Sequence, residues 1–266
     1  MNMAPQLRDI EAGMKIALSY PETKTLPLII GESDPEGCAA CGMATNPSNA
    51  YRNGTMYSSY TAASFARKYE LAEKYGVNLI GAVSWSFEFE NQPWFYGFRD
   101  LATNGVDKPV LNVFRMFGMM KGKRVQVSGN RMYSLQEVLD SSVRRSTDIG
   151  ALASKDKKSV AVMIWNYHDE DKNSGGDEVV VRINNLPAKK VKLTEYRIDD
   201  ELSNSYALWK QMGSPQMPTE NQLSQLQRAG MLQTADVPVD IKTNTRTAEF
   251  TIRLPRQAVS LLKLDW

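Results

Sequence analysis

Two stretches of the chain carry residues suited to chemistry. The first is Leu26-Pro-Leu-Ile-Ile-Gly-Glu32, a short aliphatic run that ends in one carboxylate. Continuous aliphatics without polar alternation are the pattern of a buried strand in a parallel sheet. In barrels of alternating strands and helices, the carboxyl ends of the strands carry the reacting groups. Glu32 therefore stands where a catalytic carboxylate belongs, and Gly31 before it leaves room for a close approach. The competing reading is that Glu32 only caps the following turn. The second stretch is Trp85-Ser-Phe-Glu-Phe-Glu90, followed by Gln92, Trp94, Phe95 and Tyr96. Aromatic faces mixed with carboxylates at a strand end suit a sugar ring: the rings cover its C–H face, and the carboxylates accept from its hydroxyls. An aromatic core cluster with two surface acids is the alternative.

The cysteines are Cys38 and Cys41, spaced Cys-Ala-Ala-Cys. A redox pair, half a zinc site, a loop-closing disulfide and two idle thiols all fit that spacing. A structural zinc site takes about four ligands, and the single histidine, His168, lies far away in sequence, so no metal is expected. Gly37 and Gly42 place the pair in a loop rather than at a helix start, which favours a local staple or free thiols. His168, in Trp165-Asn-Tyr-His-Asp, is expected on a surface or loop and is given no role.

The elements that must position these residues follow from the periodicity. Asp9 to Tyr20 reads as a helix with Ile10, Met14, Ala17 and Leu18 on one face, stopped by Pro21. The strand that ends at Glu32 comes next. Ser33 to Thr55, rich in Gly, Pro, Asn and Ser, reads as a long loop, and loops of that length in compact domains are usually functional. A second helix is predicted over Met56 to Tyr75, burying Ala62, Phe65, Ala66, Tyr69 and Ala72 and closed by Gly76. A second buried strand runs from Val77 to Trp85. A third helix begins at Lys108, with Pro109 in its first turn, and buries Val110, Val113, Phe114 and Phe117. This alternation is the signature of parallel β/α units.

After about Lys121 the pattern changes to short alternating strands. They contain Val160, Val162 and Ile164; Val179, Val181 and Ile183; Phe250, Ile252 and Leu254; and Val259 and Leu261. Asp156-Lys-Lys158 reads as a hairpin tip. Such runs predict an antiparallel sandwich. One helix interrupts it, Thr219 to Gln233, with Thr219 and Gln222 spaced as a capping box. The expected class is thus α/β plus all-β, divided at 1–122 and 123–266.

Composition bounds the rest. The chain has 266 residues and a formal net charge of +2, so no strong field draws nucleic acid or an anionic membrane. No apolar run approaches the ~20 residues of a membrane helix. Met1-Asn-Met-Ala-Pro5 lacks the basic and apolar regions of a signal peptide, and a bacterial periplasmic or cytoplasmic setting is expected. The aliphatic strands should leave edges exposed at Leu28, Ile29, Ile30, Leu79, Ile80 and Val83, so a homo-oligomer is expected.

Pro27-Leu-Ile-Ile-Gly-Glu32, Asn53-Gly-Thr-Met-Tyr-Ser-Ser-Tyr60, Ser84-Trp-Ser-Phe-Glu-Phe-Glu90 and Lys108-Pro-Val-Leu-Asn-Val-Phe114 together resemble glycoside hydrolase family 39, the β-xylosidase family. The resemblance covers nearly the whole chain in order. It implies the last two β/α units of a (β/α)8 TIM barrel followed by a C-terminal β-sandwich. It also implies a retaining β-xylosidase chemistry on hemicellulose oligosaccharides, with Glu32 as nucleophile and no cofactor. Trp85 and Phe87 match residues that line the family's sugar site; Glu88 and Glu90 match more loosely, because the segment is shorter here.

The chain departs from that family at the acid/base glutamate, which lies in an Asn-Glu pair at the end of strand four, whereas only one helix precedes strand seven here. Retaining hydrolysis uses two carboxyl groups ~5–5.5 Å apart. Asp34, Glu36, Glu88 and Glu90 are the local substitutes. A truncated enzyme is one reading; the other is a non-catalytic carbohydrate-binding or oligomerising remnant.

Overall fold

The computed structural model describes residues 1–84, 90–172, 175–187, 191–236 and 246–266. Helix α1 (Met3–Ser19) begins six residues before the expected Asp9. The Asn2 side chain accepts from the Ala4 amide at 3.3 Å, and Pro5 falls in the first turn, where it removes no intrahelical hydrogen bond. Strand β1 (Leu28–Ile30) follows. The expected loop from Ser33 to Thr55 contains a 3₁₀ helix over Pro47–Asn53. Helix α2 (Thr55–Tyr75) ends on Gly76, whose φ of 66° is the left-handed cap.

Strand β2 (Leu79–Ala82) is shorter than the expected Val77 to Trp85 run. The pair β3 (Ala102–Thr103) and β4 (Val106–Asp107) leads into α3 (Pro109–Met119). Next come β5 (Lys123–Val125), α4 (Leu135–Ser141), β6 (Asp148–Lys155), β7 (Ser159–Tyr167), β8 (Gly176–Ile183) and β9 (Lys192–Ile198). Helices α5 (Ser205–Gln211) and α6 (Glu220–Gly230) precede β10 (Gln233–Ala235), β11 (Ala248–Pro255) and β12 (Val259–Asp265). Thr219 and Gln222 form the expected capping box at α6, but this helix stops at Gly230 rather than Gln233. Helices α4 and α5 had no counterpart in the sequence reading.

β1 and β2 pair in parallel, with Leu28 opposite Leu79 and Ile30 opposite Ala82. Leu79 packs into the helical core. The opposite face is bare: Ile29 and Ile80 are 59% and 60% exposed, and Leu26 and Val83 are exposed beside them. The aliphatic run promised burial on both faces; among the described residues only one face is covered, because only one side carries helices.

The strands after Gly122 build a six-stranded antiparallel sheet in the order β10-β9-β12-β7-β6-β5, and β8 and β11 form a separate antiparallel ribbon. Val160, Val162 and Ile164 of β7, with Leu262 and Leu264 of β12, pack on Val181, Phe250, Ile252 and Leu254 of that ribbon. The other face of the same strands carries Ala161, Met163, Trp165 and Tyr167, which pack on α1, α2, α3 and α4 through Leu7, Ala62, Ala66, Met116 and Val138. β7 is therefore buried along its whole length. In β6, Gly150 lies against Trp165, where a Cβ would come within 2.5 Å of the indole.

Helix α2 lies between the parallel pair and the six-stranded sheet, so its stripe is wider than the sequence reading drew it, although Tyr69 is exposed rather than buried. A buried ion pair locks α2 to the sheet. Arg67 Nη2 donates to Asp148 Oδ2 at 3.0 Å, and the same carboxylate accepts from the Trp165 indole at 3.1 Å and from the Tyr133 amide at 3.0 Å.

His168 meets the loop alternative of its two expected settings and not the surface one. It follows β7 as a loop residue but is buried, with Nδ1 accepting from the Glu170 amide and lying against Arg256 Nη2. Burial and the Arg256 charge push its imidazolium below the ordinary range.

Candidate active site

Glu32 lies two residues beyond β1, at the carboxyl end of a parallel strand, with its side chain about one third exposed. Its Oε1 accepts from Arg99 Nη2 at 2.5 Å. Arg99 is itself buried, and its guanidinium reaches three more groups of the loop after β1. Nη1 lies 3.3 Å from Asp34 Oδ2 and donates to the Glu36 carbonyl at 2.7 Å, while Nη2 donates to the Gly37 carbonyl at 2.9 Å.

The loops after the two parallel strands meet at Asp34. Ser84, just past β2, donates to Asp34 Oδ1 at 2.6 Å, and the Tyr57 hydroxyl donates to the same oxygen at 3.0 Å. Burial, reinforced by the Asp34 charge, pushes the Tyr57 phenol well above its ordinary range, so it stays a donor. Glu36 is held from the other side by the Tyr51 hydroxyl and, at 3.1 Å, by Arg52 Nη2. Arg52 is buried and also donates to the carbonyls of Cys38 at 3.0 Å and Cys41 at 3.2 Å. Asn53 ties this loop to the segment after β2: its side chain donates to Phe95 O at 2.7 Å and accepts from the Gly97 amide at 3.1 Å. Behind Arg99, Asp100 and Lys108 form a fully buried ion pair. Desolvation pushes the carboxyl up and the ammonium down, each opposed by the charge of the other.

The structure thus gathers Glu32, Asp34 and Glu36 around Arg52 and Arg99. Of the sugar-contact residues expected from sequence, Trp85, Phe87 and Glu88 lie outside the described residues, and Glu90 is exposed at a turn. Gly31, expected to admit a close approach, has open space where a Cβ would stand. Two clefts among the described residues lie elsewhere. One of about 970 Å³ lies between β6–β7 and β8, and one of about 710 Å³ lies between α2, α3 and β2. Neither is lined by Glu32.

Sequence reasoning missed Arg52, Tyr57, Lys68, Ser84 and Arg99. A carboxylate in this position calls for a cationic partner, but only the folded loop says which of many arginines supplies it.

Lys68, on α2, lies beneath the loop. Its Nζ is 3.4 Å from both the Ser33 carbonyl and Ser64 Oγ, and 4.2 Å from the Phe65 ring centroid. Burial, only partly offset by the Asp34 charge, pushes its ammonium down to about 7 from 10.5. Between these values the unfolded chain binds a proton that the folded chain does not, so stability rises as pH climbs from about 7 towards 10.5, and the penalty is complete below about 7. Lys68→Met is expected to raise the urea midpoint at neutral pH and to flatten that alkaline gain. Urea titrations at about pH 6 and about pH 9 check both effects.

Glu32 is thus a strand-end carboxylate held by a buried guanidinium, partly open to solvent beside hydroxyl and carboxylate groups. The family model of Glycosyl hydrolases family 39 matches residues 2–246, and the chain belongs to that family. No curated protein matches it. Among solved structures it is similar to the GH39 enzyme of Xanthomonas axonopodis pv. citri, with 17% identity and a TM-score of 0.69 over 98% of this chain and 48% of that one. It is also similar to a GH39 β-xylosidase of Caulobacter crescentus, with 16% identity and a TM-score of 0.66 over 98% and 48%. A bacterial orthologue of human α-L-iduronidase gives 14% identity and a TM-score of 0.74 over 96% and 45%. At these identities the likeness is one of fold, a mixed α/β architecture. The chain spans about half the length of each of these structures.

Proposed function

We propose that the chain carries the nucleophile half of a retaining glycosidase, acting on β-linked xylose or a related sugar of hemicellulose oligosaccharides. The observation that carries this reading is Glu32 at the carboxyl end of β1, partly open to solvent and held by Arg99. In this reading residues 1–122 are the closing β/α units of a (β/α)8 barrel, and residues 123–266 are a β-sandwich. Glu32 attacks the anomeric carbon, Arg99 orients its carboxylate, and Trp85, Phe87, Glu88 and Glu90 line the sugar.

The experiment uses a dinitrophenyl 2-deoxy-2-fluoro-β-xyloside. Its leaving group departs without protonation, so glycosyl transfer to the nucleophile needs no acid/base partner, and the fluorine slows hydrolysis of the intermediate. The expected result is a protein mass raised by one fluoroxylosyl group, with the adduct on Glu32. An adduct elsewhere, or none, overturns the reading.

A second reading, a non-catalytic carbohydrate-binding or oligomerising remnant, is favoured by a different observation. Asp34 is buried, and Glu36 is held by Tyr51 and Arg52, so neither local carboxylate stands free as a proton donor. Both readings include self-association through the bare face and edges of β1 and β2, where Ile29, Ile80 and Val83 are exposed. Light scattering over a concentration series should give a mass above that of one chain. A monomer with protected amides in β1 and β2 would contradict it.

A further inference from the structure

The proposed chemistry leaves one feature of the site loop unused. Cys38 and Cys41 form a disulfide across a Cα–Cα distance of 5.3 Å, and Cys38 is exposed. Both buried arginines of the site are anchored to the short segment that this bond closes. Arg52 donates to the carbonyls of Cys38 and Cys41. The Arg99 amide donates to the Ala39 carbonyl at 3.0 Å, inside the ring. The Arg99 side chain donates to the carbonyls of Glu36 and Gly37, immediately before it, and holds Glu32.

We propose that the Cys38–Cys41 disulfide is a redox-dependent positioning element for Glu32, acting through Arg99. In the oxidised chain the carbonyls of residues 36–41 form a fixed cradle for the two guanidinium groups, and Arg99 presents Glu32 in one orientation. A dithiol reductant breaks the Sγ–Sγ bond. The two cysteines take up two electrons and two protons, and the reductant closes to its own disulfide. The freed segment regains the chain entropy of an open loop, the cradle loosens, and Arg99 no longer holds Glu32. For its effect on turnover the proposal rests on Glu32 being the nucleophile; its positional content rests on the contacts alone.

The test is therefore read without turnover. Amide exchange at Arg99 and Met43, whose amide donates to the Tyr96 carbonyl at 2.8 Å, is compared in the oxidised and dithiothreitol-reduced chain. Val162 and Leu262 in the sheet serve as the reference. Carbodiimide labelling of Glu32, followed by mass spectrometry, reports the freedom of the carboxylate. Reduction is expected to speed exchange at Arg99 and Met43 by about tenfold or more and to raise the Glu32 labelling rate, with the sheet amides unchanged. The Cys38→Ser/Cys41→Ser variant should show the fast values under either condition.

Unchanged exchange and labelling on reduction would overturn the proposal. So would equal acceleration at Val162 and Leu262, which would make the bond a staple of the whole fold. Failure of the fluoroxyloside to label Glu32 overturns the enzymatic reading and leaves these observables intact, so the two failures are separable. Where turnover of an activated xyloside is present, reduction should lower kcat more than it changes KM.

Discussion

Glu32→Gln is expected to abolish the fluoroxylosyl adduct and to reduce turnover of dinitrophenyl xyloside by at least about three orders of magnitude. The amide keeps the size of the side chain and can still approach Arg99 through its carbonyl oxygen, so the cradle around residues 36–41 should survive. What it lacks is the anionic oxygen that forms the bond to the anomeric carbon. Intact-mass measurement and initial rates on the wild-type and variant chains check this. Equal labelling of both would show that Glu32 is not the nucleophile. Added azide gives a further check in a Glu32→Ala chain, where truncation leaves room for a small anion: that variant should regain part of its turnover and release a xylosyl azide of inverted configuration.

The second large effect is on stability. Asp148→Ala is expected to cost about 3–5 kcal/mol, because it removes the buried carboxylate that pairs the Arg67 guanidinium and leaves it ion-paired with the half-buried Glu70. It also strips the acceptor from the Trp165 indole and the Tyr133 amide. For a chain of this size the midpoint of thermal unfolding should fall by on the order of 10 °C. The double replacement Asp148→Leu/Arg67→Met removes both charges and should cost clearly less than the single change, since the uncompensated buried charge dominates the loss. Urea unfolding of the three chains measures this. Additive losses would show that the two residues act independently.

The parts of the fold that a single local rule determines were legible. Alternation marked Val160, Val162 and Ile164 as one strand and Phe250, Ile252 and Leu254 as another, and both sets sit in one core. Lys108-Pro109 marked the start of α3, and Thr219 with Gln222 marked that of α6. Where two elements compete for one residue, the reading fell short. Ala161, Met163 and Trp165, which interleave with the alternating residues of that strand, are covered by the helices of the first 122 residues. The first turns of α1 were hidden because Pro5 reads as a breaker unless the helix is known to begin at Met3. The position of Glu32 just past its strand was legible from the aliphatic run, whereas Arg99 belongs to no regular element. Its role depends on a loop closed some sixty residues earlier, a distance that no periodicity spans.

Helix α2 has an evolutionary consequence. An ordinary surface helix can drift freely on its wet side, but the first half of α2, from Thr55 to Ser64, is buried at every position. One side faces the loops of the site through Tyr57, another faces the sheet through Ala62 and Ala63, and between them Ser58 and Ser59 are buried, the Ser59 hydroxyl donating to Gln257 Oε1 at 2.6 Å. Almost any exchange there must be answered on two fronts at once, so acceptable replacements are few. Lineages that share this architecture should therefore diverge quickly along the ribbon of β8 and β11 while remaining readable along Asn53 to Tyr60, which makes that octapeptide the part of the chain by which distant kin are best recognised.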